Sequence, residues 1–374
     1  MEVSIKIIID IEDFFGLIMY RYMIIQQRRR ARQRIIGDRL NPRNRLKDRQ
    51  NPLEEYSDLS FQVRYRFTKQ SFVYLLDLIL PQLMVDPRGN PLPPVLQLAA
   101  FLRFAATGSF QQVLGDSINC AKGTVSKYIR RLALILAELR PRYINFRPGA
   151  HTMAAFREIA GFPTVVGAID CTHVPVFVPK VDDVGLYLCH KGFTSINVQV
   201  VCGPDMRICH IVSRWPGSTH DSRIFDWSSI KEYMIEQRTP HGQLPPDSKL
   251  LGDGGYACMP YLFTPLRAPQ TRPEIRYNFA HSRTRTVVER VFGVLKRRFP
   301  CLRRKLHFKE MDTCKLVIVA CAVLYNLCIN LNEPDVDGDD IFEEENAENR
   351  LQLHGREERG AAAREAFIQA HFTD

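Results

Sequence analysis

The chain of 374 residues lacks the paired cysteines of a zinc-binding or redox motif. None of its ten cysteines forms a Cys-x-x-Cys pair, and Cys314, Cys321 and Cys328 recur every seven residues along one apolar segment, as packing residues do. Unpaired thiols of this kind indicate a reducing compartment. The cysteines therefore exclude a cysteine-based metal signature.

The sequence also lacks an apolar run long enough for a clear membrane span. Residues 316–331 are strongly apolar, but they are fewer than the roughly 20 residues that a span requires, and they include Asn326 and Asn330. Residues 14–25 follow three acids and are interrupted by Arg21, which is unlike a secretion signal. We therefore expect a core helix at 316–331 and no contact with membranes.

Charge is distributed unevenly along the chain. Residues 333–374 hold 13 acids and four basic residues, so this tail carries −9 and residues 1–332 carry +19. Basic residues form runs at 28–34 and 296–298. Such runs are typical of nucleic-acid binding, and the first also resembles a nuclear-import signal, although a basic surface can serve solubility alone. A nucleic acid is the expected partner.

Composition and pattern divide the chain into four parts. These are a basic N-terminal segment (1–59), a helical region (60–150), a region of mixed strands and helices (163–332) and the acidic tail (333–374). The tail has too few apolar residues to form a core and is predicted to be disordered, apart from a short helix near its end. One hypothesis is that the tail shields the basic surface when DNA is absent.

Three acids stand at the edges of apolar segments. Asp170 and Asp253 each follow an apolar run, and Glu289 borders the apolar face of a helix predicted over 285–298. Carboxylate oxygens are the ligands that Mg²⁺ and Mn²⁺ prefer, so the three acids together predict a divalent-metal site for phosphoryl transfer. Taken singly, each has an ordinary explanation, because aspartates often begin loops and glutamates often join surface salt bridges.

Basic residues near Glu289 are candidates for phosphate contacts. Arg285 and Lys296 lie on the same border of the predicted helix, where they could hold phosphates beside the metals. The residues before this helix are expected either to line the DNA path or to belong to a solvated loop. They are Arg267, Arg272, Arg276, Tyr277 and His281.

Apolar spacing predicts helices before residue 150. Thr68 is expected to cap the first of them. Residues 110–118, the turn 119–123 and the helix 125–139 are expected to form a helix-turn-helix. The outer side of its second helix carries groups suited to DNA contact, although helix pairs of this kind often only pack. These groups are Ser126, Lys127, Arg130 and Arg131.

The order of elements in the second half of the chain predicts a mixed sheet flanked by helices. After the strand that ends at the first aspartate come strands over 194–202 and 207–215, a helix over 222–236 and a strand over 249–252. If the crossover is right-handed, the strands before the two aspartates are neighbours.

Four motifs in this order resemble the successive motifs of PIF/Harbinger transposases and the nucleases derived from them. They are GAIDCTH at 167–173, WPGSTHDSR at 215–223, LGDGGY at 251–256 and VERVFGVLK at 288–296. The similarity extends over about residues 60–330. The chain departs from the family at Cys171, where glycine is common, and at Tyr325, where histidine is usual.

The resemblance implies an α/β fold, with a ribonuclease-H-like DDE catalytic domain preceded by an all-helical, helix-turn-helix-like domain. Asp170, Asp253 and Glu289 match the triad of a DNA endonuclease that depends on Mg²⁺ or Mn²⁺. Asp221 matches a further acidic position that is often treated as a metal ligand. The sequence explains Asp221 equally well as a cap on the helix that follows.

The resemblance also implies a partner. A separate Myb/SANT-like protein would supply sequence-specific DNA binding and nuclear import, so we expect a nuclear protein with a cytoplasmic pool. The alternative is a domesticated, non-catalytic DNA- or chromatin-binding protein that retains the transposase fold. The sequence leaves the oligomeric state open, with a homo-oligomer as one alternative.

Overall fold

The structure is a computed structural model. It describes residues 51–83, 92–118, 120–178, 183–238, 242–245, 247–335 and 360–373. The described residues all fall in one compact unit. The expectations for the basic run at 28–34 and for the acidic residues between 336 and 359 lie outside this part of the chain.

The described strands form one mixed sheet of five strands, in the order β3-β2-β1-β4-β5. The strands are β1 (Val165–Pro175), β2 (Ser195–Cys202), β3 (Ile208–Pro216), β4 (Lys249–Leu251) and β5 (Leu262–Phe263). β1 pairs antiparallel with β2 and parallel with β4. The predicted mixed sheet is confirmed, and the strands that lead to the two aspartates are neighbours.

Helices surround this sheet. In chain order they are α1 (Pro52–Glu55), α2 (Asp58–Tyr65), α3 (Lys69–Leu83), α4 (Pro94–Thr107), α5 (Gln111–Ser117), α6 (Lys122–Ala137), α7 (Arg140–Tyr143), α8 (Ala150–Ala160), α9 (Val184–Tyr187), α10 (Asp221–Asp226), α11 (Ser229–Gln237), α12 (Arg272–Arg298), α13 (Met311–Asn330) and α14 (Ala361–His371).

The two faces of β1 meet different helices. Ile169 and Cys171 belong to a core that includes apolar residues of α10 and α11. Asp170 and Thr172 contact side chains of α12. Because successive residues of a strand point to opposite faces, this alternation places Asp170 on the side covered by α12.

α5 and α6 stand where the helix-turn-helix is predicted, with α6 beginning at Lys122 and ending at Ala137. The chain turns tightly between the two helices, since the Cys120 N–H donates to the Gly115 carbonyl over 2.8 Å. A Cβ at Gly115 would lie 2.5 Å from the Cys120 carbonyl oxygen, so the turn requires glycine there. Beyond Ala137 the chain bends into the short helix α7.

The single helix predicted over 222–236 is wrong, because the structure has two helices there. α10 ends at Asp226, and α11 begins at Ser229 after a residue with extended backbone, Ser228. The Ser228 hydroxyl donates to the Phe225 carbonyl over 2.8 Å. Serine side chains compete in this way with the helical hydrogen bond, which a reading of apolar spacing alone does not detect.

The helix that carries Glu289 begins 13 residues earlier than predicted. Thr271 and Glu274 form a capping box, and Pro273 occupies the first turn, where its missing N–H costs nothing. Tyr277 and His281 are fully buried inside this helix. The expectation that these two residues line a DNA path or a solvated loop is therefore wrong.

α13 is the apolar helix expected near 316–331. By length and composition it could cross a membrane, but 78% of its apolar window is buried inside the protein, where it packs against α6 and β3. The side-chain amide of Asn326 has hydrogen-bond partners in this interior. Its side chain accepts from the Ile208 N–H over 2.9 Å and donates to the Tyr143 carbonyl over 2.8 Å. A buried amide thus joins α13 to β3 and to α7.

The short helix predicted near the C-terminus is α14. Phe367 packs its ring against Phe162 and Phe263 at centroid distances of 5.5 and 5.2 Å. Arg364 donates to the Thr264 carbonyl over 3.2 Å. Both contacts lie beside β5, so the end of the chain covers this edge of the sheet.

Candidate metal centre

Asp170 occupies the middle of β1, beyond the end of its short neighbour β4. The last register pair of the two strands joins Ala168 to Leu251, so residue 170 continues past the paired region. The side chain is buried, and its Oδ1 accepts from the Cys171 N–H over 2.8 Å. The strand thus holds the carboxylate in place just beyond the end of β4.

Asp253 is held by a glycine-rich turn after β4. It is 3% exposed, and its Oδ1 accepts from the Gly255 N–H over 3.0 Å. A Cβ at Gly255 would lie 3.1 Å from this same oxygen and 3.6 Å from Oδ2 of Asp221. The motif therefore needs glycine at 255 so that the backbone can approach both acids.

Asp221 is the first residue of α10. The residue in the capping position is His220, and no side-chain cap bond is formed there. Instead, Oδ1 of Asp221 accepts from the Asn197 amide over 2.9 Å. The sequence explains Asp221 equally well as a helix cap or as a metal ligand. In the structure its carboxylate lies in the acidic cluster.

The three aspartates converge. One oxygen from each of Asp170, Asp221 and Asp253 lies within 4.8 Å of the other two. Carboxylates at this spacing repel one another, and burial of two of them limits screening by water, so a cation between them is favoured. Because the donors are all hard oxygens, the set fits Mg²⁺ or Mn²⁺.

Glu289 lies outside this group of three but is connected to it. Arg285 donates to Oδ2 of Asp170 over 2.7 Å and to Oε1 of Glu289, one helical turn further along α12. Burial by itself would lower the pKa of the Arg285 guanidinium, but the charges of Asp170 and Glu289 raise it above its ordinary value. The side chain of Glu289 is 46% exposed. The fourth acid thus reaches the site from the solvent side.

Lys296 also binds β1. Its ammonium group donates to Oγ1 of Thr172 over 2.6 Å and to the carbonyl of His173 over 3.2 Å. Two basic side chains of α12, Arg285 and Lys296, therefore follow β1 outward from the acids.

The four candidate DNA contacts on α6 are placed differently from one another. Lys127 is exposed and Ser126 is half-buried. Arg130 pairs with Glu310 at 3.4 Å, and Arg131 donates to the Gln82 carbonyl over 2.6 Å. Lys127 is thus the most accessible of the four, while the two arginines also contact other parts of the protein.

Three polar residues near the acids were not among the sequence candidates. Asn197 holds Asp221, and the Tyr256 hydroxyl lies 3.3 Å from the Cys171 sulfur and 3.5 Å from the Gln199 amide. Asn197 and Gln199 alternate with apolar residues in a wholly buried strand. That pattern is a usable signal, because a buried polar residue needs a partner.

The Cys171 thiol and the Tyr256 phenol, which lie beside the acids, stay protonated. Burial raises the pKa of Cys171 well above its ordinary value, and the charge of Asp221 adds to this effect. Burial also raises the pKa of Tyr256. At neutral pH both groups are neutral, so they add no negative charge to a cluster that already holds three acids.

Comparison with known proteins shows the family of this chain. The sequence pattern described as DDE superfamily endonuclease matches residues 169–326, a span that includes all four acids. "Putative nuclease HARBI1" of Homo sapiens is 31% identical over 74% of this chain and 79% of its own length, and the protein of the same name from Mus musculus is 32% identical over 74% and 80%. The chain belongs to the Harbinger transposase-derived nucleases.

More distant relatives of this Harbinger-type chain occur in plants. "Protein ALP1-like" of Arabidopsis thaliana is 24% identical over 74% of this chain and 72% of its own length. No solved structure matches the chain.

Proposed function

We propose that this Harbinger-type chain is a divalent-metal-dependent DNA endonuclease that cleaves or transfers phosphodiester bonds. The observation that carries the proposal is the convergence of Asp170, Asp221 and Asp253 within 4.8 Å, with two of the three buried. A cluster of like charges destabilises a fold unless it serves a cation, and cations held by carboxylates are what phosphoryl transfer uses.

All four acids take part in the proposed metal site. Asp170, Asp221 and Asp253 hold Mg²⁺ or Mn²⁺, and Glu289 completes the D-D-E set from α12. A bound metal pair lowers the pKa of a water and stabilises the leaving oxygen. The chain supplies rigidity, because each aspartate has one oxygen fixed by a donor from a neighbouring residue or strand.

Arg285 has two roles in this proposal. Its contacts with Asp170 and Glu289 balance negative charge at the site. When metal and DNA are bound, the guanidinium is available to a phosphate oxygen, which it matches in geometry. Lys296, further along β1, is placed for a neighbouring phosphate.

The charge of the chain supports DNA as the substrate. Residues 1–332 carry +19, and Lys127 on the second helix of the predicted helix-turn-helix is exposed. Positive charge of this size attracts the phosphate backbone of DNA. We further propose a Myb/SANT-like partner that supplies sequence-specific binding, and a nuclear location with a cytoplasmic pool. Both come from the family resemblance.

A nicking assay tests the proposal. Supercoiled plasmid is incubated with the protein in Mg²⁺ or Mn²⁺, and wild type is compared with Asp170→Asn. The matched control is Asp312→Asn, an exposed aspartate paired with Lys315 on α13. We expect wild type and the control to nick the plasmid and Asp170→Asn to be inactive. If wild type binds DNA but cleaves it in neither metal, the chain is a non-catalytic DNA- or chromatin-binding protein.

A further inference from the structure

Three aromatic rings contact one another at the protein surface, beyond the end of β1. The His307 ring is stacked on Phe177, with centroids 5.6 Å apart at an interplanar angle of 24°, and is tilted against Phe110, with centroids 5.6 Å apart at 46°. Phe110 is 68% exposed and Phe177 is 43% exposed. We call these three residues the aromatic stack. Single exposed apolar residues are ordinary, but a stack that ends in an exposed ring is a platform.

Positive charge lies beside the aromatic stack. Residues 303–309, here called the basic segment, contain His307 and no acid. Four cationic side chains in this segment are exposed: Arg303, Arg304, Lys305 and Lys309. A platform of rings among exposed cations has the composition of a nucleic-acid contact, since the rings can stack on bases and the cations can bind phosphates.

The fold fixes the basic segment against both neighbours. The Leu306 N–H donates to the Pro175 carbonyl and the Phe177 N–H donates to the Leu306 carbonyl, each over 2.9 Å, so the segment pairs with the end of β1. On the other side, a Cβ at Gly108 would lie 2.8 Å from Cδ of Arg304, which places that side chain beside the residues that lead to Phe110. Three distant segments thus form one surface.

β1 connects this surface to the acids. Asp170 and Phe177 are seven residues apart on extended chain, which corresponds to about 23 Å. Lys296 binds β1 between them, at Thr172 and His173. Nucleotides in one strand of a DNA duplex advance about 3.4 Å each, and an unpaired strand extends further per nucleotide, so this distance spans several nucleotides.

We propose that the aromatic stack and the basic segment form a second DNA contact, in which Phe110 stacks on an unpaired base several nucleotides from the phosphate that reacts at the acidic cluster. The base must be unpaired because neighbouring bases cover both faces of a base inside a duplex. The position along the strand rests on the proposed function, since that function places the reacting phosphate at the acidic cluster.

Binding measurements test the contact without cleavage. Fluorescence anisotropy, in buffer without divalent metal, compares a blunt duplex with the same duplex carrying a single-stranded extension. We expect Phe110→Ala to weaken binding of the extended duplex about tenfold and Phe110→Trp to bind it as tightly as wild type does. Binding of the blunt duplex should be the same in all three proteins. The control is Trp227→Ala, which removes an aromatic ring of similar exposure, 66%. Equal loss for both DNAs, or no loss for either, would overturn the proposal.

The salt dependence of DNA binding measures the contribution of the basic segment. Neutralising Lys305 and Lys309 together to Gln should reduce the slope of log affinity against log salt by about 1.5, since each lost phosphate contact contributes roughly 0.7 to 0.9. The charge-matched control is Arg157→Gln with Lys231→Gln, on other helices. A slope that changes equally in both double variants would show that only net charge matters.

A fluorescent base locates the stacking position. 2-Aminopurine is placed at successive positions of the extension, and its quenching is compared between wild type and Phe110→Ala. We expect the quenching that depends on Phe110 to be largest several nucleotides from the cleaved bond. Quenching next to that bond would contradict the placement.

If Asp170→Asn abolishes nicking while Phe110→Ala changes nothing, the proposed second contact is wrong and the proposed nuclease activity is supported. If wild type never nicks but Phe110→Ala still loses the extended duplex selectively, the contact stands without the nuclease.

Discussion

Two regions next to β1 differ in burial and in charge. Beside Asp170 on β1 lie Asp221 and Asp253, and the three acids are buried or half-buried and held by backbone and amide donors. Beyond the end of β1 lie the exposed rings of the aromatic stack and the exposed cations of the basic segment. The first region can hold a cation, and the second can hold a polyanion. In the proposed function, the acidic cluster inside the fold carries the chemistry and the exposed surface beyond β1 adds affinity for DNA.

The difference has an energetic basis. A buried cluster of like charges lowers the stability of the unliganded protein, so the acids cost free energy that metal binding recovers. Exposed arginines and lysines cost little, because water and salt screen them. Variants of the acids should therefore change both stability and rate, while variants of the basic segment should change only DNA binding and its salt dependence.

The largest expected effect is at the acids. Asp253→Asn should lower the nicking rate on the order of a thousandfold, because a metal ligand is lost. It should also raise the melting temperature of the metal-free protein by about 3 °C, since one of three repelling charges is removed. Calorimetry without metal and the plasmid assay measure the two quantities. A variant that loses activity and stability together would indicate a merely structural aspartate.

Arg285→Gln should produce the next largest change. Asp170 is 2% exposed and would lose its ion-pair partner, which should cost about 3 kcal/mol of unfolding free energy without metal. Added Mn²⁺ should recover more stability in this variant than in wild type. Arg283→Gln, at an exposed position on the same helix, should stay within about 0.5 kcal/mol of wild type. Failure of Mn²⁺ to stabilise the variant would separate Arg285 from the metal site.

The glycines after Asp253 offer a matched pair. Gly255→Ala would place a Cβ 3.1 Å from Oδ1 of Asp253, whereas a Cβ at Gly254 meets nothing within 4 Å. We expect Gly255→Ala to weaken Mn²⁺ binding about tenfold, because the carboxylate must shift, and Gly254→Ala to leave it unchanged. Titration calorimetry compares the two. Similar affinities in both variants would mean that the close approach of residue 255 is unimportant.

A change at a buried residue outside both regions should affect mainly stability. His281 is fully buried in α12 with Nε2 3.1 Å from the Phe263 carbonyl, and burial lowers its pKa to about 4. The unfolded chain therefore binds the proton first, and stability falls as the pH drops from 6.5 towards 4. At pH 5 the loss should be about 2 kcal/mol.

Replacement of His281 by Gln removes this titration while keeping a donor for the Phe263 carbonyl. Denaturant unfolding at pH 7 and pH 5 should show a smaller acid loss in His281→Gln than in wild type, with nicking unaffected at pH 7. An equal loss in both proteins would assign the acid sensitivity to other groups.

Much of the sheet could be predicted from the sequence, since strand order and the neighbouring aspartates follow from apolar runs and short connections. The start of α12 was missed although Thr271, Pro273 and Glu274 carry a capping signal, because the basic residues that follow resemble a loop. The two-residue strand β5 is too short for any periodicity to detect.

The missing parts of the site are contacts between distant segments. The bridge from Arg285 to Asp170 depends on how α12 is rotated against the sheet, which no local pattern fixes. The aromatic stack joins Phe110, Phe177 and His307 from three separate stretches of chain. Such contacts are set by tertiary packing, so only the structure reveals them.

The most direct test of the account is diffraction from crystals grown with Mn²⁺, using its anomalous signal. We predict anomalous density in contact with the carboxylates of Asp170, Asp221 and Asp253, which would be absent in Asp170→Asn crystals. If Mn²⁺ binds elsewhere, or if the three carboxylates remain without anomalous density in wild-type crystals at saturating metal, the claim of a metal-dependent catalytic centre is contradicted.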